Sequence, residues 1–163
     1  MIAWFAAALL SASMPQQPGD VMEEWKRAHG AKDPVALAAV YAPNAVHHTV
    51  ARHEGRDAIQ ALFARELDLV RAFHRRRDGL VEGDGVAWEW GRIAQCVVDP
   101  DGGAFRIEGQ YMALLRKMEG EDGESGWLID RLSGASDWVG PSALAKKSSD
   151  PYLPDCEQGR PTG

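Results

Sequence analysis

Between Trp25 and Phe63 the chain changes period twice, and few folds accommodate that. A helical pattern ends at Gly30. Asp33-Pro34 then starts a second helix, with an N-cap oxygen for the free amides and a proline at the first helical position. The spacing carries that helix into Tyr41. Pro43-Asn44 breaks it, and Ala45 to Val50 is short and β-branched enough to be a strand. A turn closes at Gly55. A third helix opens at Arg56-Asp57 and runs to near Arg71, with an apolar stripe at Ile59, Leu62 and Phe63.

After that helix the period becomes two. Strands are expected at Phe73 to Glu82, Val86 to Val98, Ala104 to Lys117 and Trp127 to Ser136. Turn signals separate them at Gly83-Asp84-Gly85, at Pro100 to Gly103, and between Gly120 and Gly126. Three hairpins in series make an antiparallel meander. Helices first and a curved, mainly antiparallel sheet second is an α+β arrangement, with the N-terminal helices on the concave face.

Composition narrows the function. At 163 residues one domain is the default, and it can bury a sizeable core. A net charge of −6 argues against nucleic acid as a main partner, because phosphate binding needs a basic face. The first nineteen residues carry no charged side chain; Ile2 to Leu10 is apolar, and Ser11-Ala12-Ser13 is of the cleavage-site type. Residues 1–18 therefore resemble a secretory signal peptide, which predicts a secreted or periplasmic protein, and the run is too short for a stable membrane span. The competing readings are a true start at Met14, an apolar arm on the domain, or a cytoplasmic protein. Residues 19–138 form the expected domain. From 139 to 163, Ser, Pro, Gly and charged residues dominate, as in a mobile tail. Cys96 and Cys156 would have the opportunity to pair after export.

The residues Asp33-Pro34, Val40-Tyr41-Ala42, Ala45, Gly55-Arg56 and Ile59 resemble the front half of the nuclear-transport-factor-2-like superfamily, which includes SnoaL-like polyketide cyclases and ketosteroid isomerases. Ala87-Trp88-Glu89-Trp90-Gly91, Gly109-Gln110-Tyr111-Met112 and Gly126-Trp127-Leu128-Ile129 resemble its back half. The resemblance implies a cone-shaped fold, a pocket for an apolar small molecule, no cofactor, and a homodimer formed through the sheet. It leaves activity open, because the fold hosts isomerases, cyclases, dehydratases and non-catalytic domains. It also places Trp25, Thr49 and Gln110 where resembling isomerases carry an oxyanion donor, an aspartate base and a second oxyanion acid. None of the three can do that acid–base work.

Strand alternation puts His47 and Thr49 on one face and His48 on the other. His47 is the expected general base, since imidazole exchanges protons near neutral pH. Glu89 is the expected partner that orients it, and Arg131 is expected to hold a substrate anion or to pair with Glu89. Trp25, Tyr41, Thr49, Leu62, Phe63 and Gln110 complete the expected ligand contacts. His29 is read as a cation at a helix end and His53 as a solvated turn residue. The run His74-Arg75-Arg76-Arg77 is read as solvated surface, and Trp88 and Trp90 as core or a dimer face. His47-His48 is not a metal motif, and no third ligand has suitable spacing. Three functions fit: an acid–base enzyme with His47 as base, a ligand-binding domain, and a dimerisation domain.

Overall fold

The computed structural model describes residues 14–98, 104–120 and 123–139. Its elements are α1 (Pro18–Gly30), α2 (Pro34–Ala39), β1 (Tyr41–His48), β2 (Arg52–Glu54), α3 (Arg56–Glu66), a 3₁₀ turn (Leu67–Leu69), β3 (Val70–Glu82), β4 (Val86–Val98), β5 (Ala104–Glu119) and β6 (Ser125–Val139). The six strands form one curved, open sheet in the order β2-β1-β6-β5-β4-β3. All neighbours are antiparallel except β1 and β6, which run parallel. This is the expected α+β cone. Residues 1–13 of the predicted signal segment 1–18 and the predicted tail beyond Val139 lie outside the described residues, as does Cys156; Cys96 is buried on β4.

Local chemistry sets the front half. Asp33 caps α2, its Oδ1 accepting from the amides of Val35 at 3.0 Å and Ala36 at 2.9 Å. The helix stops at Ala39 instead of running into Tyr41. Tyr41 is drawn into β1 because tertiary pairing overrides the helical period there: it pairs with Ile129 of β6, and the Ile129 amide donates to the Val40 carbonyl at 2.9 Å. Arg56 donates to the Tyr41 carbonyl through Nε at 3.0 Å and Nη2 at 2.5 Å. It thereby holds a stretch where the β1–β6 register shifts between Tyr41 and Val46. Gly55, at φ +82°, makes the turn into α3 and donates to the Ala45 carbonyl at 2.8 Å. α3 ends five residues short of Arg71, and the 3₁₀ turn tightens the entry to β3. The predicted strand end at Val50 is likewise moved. β1 stops at His48, and the chain returns as the short edge strand β2.

The core lies between the helices and the inner sheet face. Val21, Met22 and Trp25 of α1 and Ile59 and Phe63 of α3 pack on Tyr41, Leu115, Ile129 and Leu132. The outer face is a mixture. Trp88, Trp90 and Met112 are 45%, 40% and 51% exposed there, so the two tryptophans are not core.

Candidate active site

The open end of the cone holds a cavity of about 440 Å³. Trp25, His47, Thr49, Leu62 and Phe63 line it, as their positions in the sequence suggested. Tyr41 stands directly behind the wall and is fully buried. Its hydroxyl accepts from Trp25 Nε1 at 2.9 Å and lies 2.9 Å from His47 Nδ1. The Trp25 indole can only donate, so the Tyr41 oxygen accepts there, and its own proton is available to His47 Nδ1. The resulting chain runs from Trp25 through Tyr41 to His47. Phe63 meets the His47 ring edge-on, with centroids 5.2 Å apart, and fixes its plane.

This chain decides what His47 can do. Burial, with smaller contributions from His53 and His48, lowers its pKa to about 4, so the ring is neutral near pH 7. A neutral imidazole that accepts at Nδ1 carries its proton on Nε2. In that tautomer Nε2–H is the group His47 has left for the cavity it lines. Burial raises the Tyr41 pKa far above the ordinary phenol range, which keeps the hydroxyl protonated and the chain intact.

Glu89 does not meet His47. The two share one cross-strand row, His47 with Leu132, Leu132 with Ala113, and Ala113 with Glu89. Three strand spacings, about 14 Å, separate them. Glu89 is fully buried, and its Oε1 instead accepts from Arg75 Nη1 and from the Tyr111 hydroxyl at 2.7 Å. Arg75 Nη1 also donates to the Tyr111 oxygen at 2.5 Å, and Nη2 pairs with Glu23 of α1. Arg77 Nη1 lies 3.6 Å from Glu89 Oε2. A Cβ at Gly91 would come within 2.0 Å of the Arg76 carbonyl and 2.9 Å of the Tyr111 ring, so this packing requires glycine. Tyr111 and Arg75 line the cavity and Glu89 lies behind them. The arginine run read as solvated surface thus contributes the most buried cation among the described residues.

Two expected residues are outside the cavity. Arg131 projects from the outer face, 58% exposed and 3.7 Å from Asp130, because it pairs with Val46 and Leu114 in the alternate register. Gln110 is exposed beside Met112, opposite in direction to Tyr111. His29 is no helix-end cation. It stacks on Trp25 at 5.0 Å and Phe73 at 4.1 Å, and burial, helped by Lys32, lowers its pKa to about 4. His53 is half-buried on β2 at the rim, beside Arg65 and Glu66. Glu66 is the one carboxylate in the wall, at its exposed rim, and partial desolvation there raises its pKa. Among the described residues no group of His, Cys, Asp and Glu could hold a metal ion. None of the described helices is long and apolar enough to cross a membrane.

Residues 22–123 match the family model for the SnoaL-like domain. Among solved structures, a ketosteroid isomerase-like protein from Erwinia carotovora atroseptica SCRI1043 superposes with a TM-score of 0.64 at 15% identity. That match covers 73% of this chain and 92% of the other. A Novosphingobium aromaticivorans DSM 12444 structure named after scytalone dehydratase gives 0.59 at 15% identity, covering 75% and 83%. An NTF-2 like protein of unknown function from Shewanella oneidensis MR-1 gives 0.57 at 13% identity, covering 72% and 94%. Identities this low speak for fold alone. Curated proteins give no significant match.

Proposed function

Because the chain belongs to the SnoaL-like domain family, we propose that its cavity takes an uncharged, largely apolar small molecule and polarises a carbonyl oxygen of that molecule through His47 Nε2–H. The observation that carries this reading is the Trp25–Tyr41–His47 chain, which aims a fixed, neutral donor into an apolar space. Such a donor, already oriented and shielded from water, favours negative charge developing on oxygen. Neutrality of the ligand follows from charge balance: Arg75, the buried cation of the wall, is already paired with Glu89 and Glu23, so it is not left free for a ligand carboxylate.

The chemistry this supports is proton transfer next to a carbonyl, of isomerase or dehydratase type. His47 stabilises the oxyanion and Glu66 is the group that takes the proton, its raised pKa suiting it to work nearer neutrality. The test is deuterium exchange into the acetyl methyl of para-acetylbiphenyl, followed by proton NMR. Wild type accelerates exchange over buffer, and His47→Ala and Glu66→Gln each lower it by about a hundredfold. Binding without any accelerated exchange would leave the second reading, a binding domain of the same shape.

Two further proposals accompany this. A second copy packs on the outer face that carries Trp88, Trp90 and Met112, which sedimentation at varied concentration tests. Export removes the first residues up to Ser13. That cut would preserve the contact of Met14 with Gly126 and the 2.8 Å bond from the Trp127 amide to the Pro15 carbonyl, and N-terminal sequencing of a periplasmic fraction tests it.

A further inference from the structure

Most polar side chains in the cavity wall are already committed. Arg75 and Tyr111 bond to Glu89, and His47 gives Nδ1 to Tyr41. His29 packs on Trp25 and Phe73, and its buried Nδ1 has no hydrogen-bond partner among the described residues. Thr49, Arg65 and Glu66 stand exposed at the rim, near Val50, which is 79% exposed. Gln95 brings a primary amide to the inner face of β4, half-buried and lining the cavity, and its side chain makes no hydrogen bond to protein among the described residues.

Its surroundings are apolar in every direction along the sheet. Phe73 of β3 and Ile107 of β5 are its cross-strand neighbours, and Ile93 and Val97 precede and follow it on the same face. All four line the cavity. A methionine or leucine would fill that position without leaving an amide unpaired in an apolar wall. A primary amide both donates and accepts, so it recognises a hydroxyl or a carbonyl and carries no charge.

Gln95 is also remote from His47. It pairs with Ile107, whereas the His47 row crosses β5 at Ala113, six residues further on (113 − 107). We propose that Gln95 is a second polar anchor, and that the ligand is an elongated, uncharged molecule with an oxygen function at each end. One end is the carbonyl polarised by His47, and the other is a hydroxyl or carbonyl held by the Gln95 amide. This rests on the cavity reading above and adds the substrate class to it.

Calorimetric titration with three rod-shaped probes tests it: para-acetylbiphenyl, its analogue with a hydroxyl at the far para position, and its analogue with a carboxylate there. In wild type the hydroxyl analogue binds about three- to tenfold more tightly than the parent, the range expected for one added hydrogen bond. The carboxylate analogue binds less tightly than the parent. Gln95→Met, close in length and free of the amide, brings the parent and the hydroxyl analogue to equal affinity. Gln95→Asn, with a shorter amide, serves as a second variant and keeps only part of the gain. A hydroxyl gain that is absent in wild type, or that survives in Gln95→Met, overturns the role of Gln95 while leaving the cavity reading in place. No binding of any of the three probes overturns both.

Discussion

The Tyr41 hydroxyl sits 2.9 Å from Trp25 Nε1 and 2.9 Å from His47 Nδ1, so one buried oxygen joins helix α1 to strand β1. Because the indole can only donate, the Tyr41 oxygen accepts from it and keeps its own proton available to His47 Nδ1, the arrangement that leaves Nε2–H for the cavity. The fold supplies the rest. Arg56 holds the Tyr41 backbone and Phe63 holds the His47 ring.

Tyr41→Phe removes the acceptor of Trp25 and the donor of His47 together. Two buried polar groups lose their partner, and stability falls by about 2 kcal/mol in chemical denaturation. Deuterium exchange into para-acetylbiphenyl falls as well, since His47 is no longer held in one tautomer. An unchanged unfolding midpoint would show that the chain of bonds does not form.

Arg75 and Glu89 form a buried pair, with side chains 1% and 0% exposed. Glu89→Leu alone leaves the buried guanidinium with only the half-exposed Glu23 as counter-ion and costs about 3 kcal/mol, whereas Arg75→Met combined with Glu89→Leu recovers much of that loss. A double variant as unstable as Glu89→Leu would mean that other contacts of this cluster dominate.

Stability depends on pH through His29 and His47, both lowered to about 4 from 6.5 by burial. Between pH 4 and 6.5 the unfolded chain binds more protons than the folded one. Stability is therefore full above pH 6.5 and is lost as pH falls toward 4, by at most about 1.4 kcal/mol per pH unit for each histidine. His29→Phe keeps the stack on Trp25 and Phe73 and makes this slope shallower. An identical slope in that variant would place His29 in contact with water.

A donor and a base respond differently to replacement of His47. Glutamine keeps an N–H donor but cannot take a proton near neutral pH. His47→Gln should retain a measurable part of the exchange activity, while His47→Ala falls by about a hundredfold. Equal loss in both would return His47 to the role of base.

Much of the fold was legible because each local signal agreed with the global one. The Asp33-Pro34 cap, the turn at Gly55 and the glycine-marked hairpins all sit where the pattern put them. Alternation put His47 and Thr49 on one face, and the family resemblance put that face in the cavity. What the pattern could not supply was strand order. Glu89 and His47 both point inward, but β5 and β6 lie between their strands, so the pair cannot form. Arg75 was missed because four polar residues in a row look solvated. Its alternation with Phe73 was the available signal, since both point inward. Arg131 and Gln110 were misplaced by one residue of register, which reverses the face of a strand. His29 was missed because its burial depends on Phe73, a neighbour remote in sequence.

The central claim is that His47 presents an Nε2–H donor to the cavity. Long-range proton–nitrogen correlation NMR of the imidazole rings at pH 7 tests it directly, with the His47 signals identified by their absence in His47→Gln. The expected spectrum shows a protonated Nε2 and an unprotonated Nδ1 that shifts when Tyr41 is replaced by phenylalanine. A protonated Nδ1 with a bare Nε2 facing the cavity would contradict it.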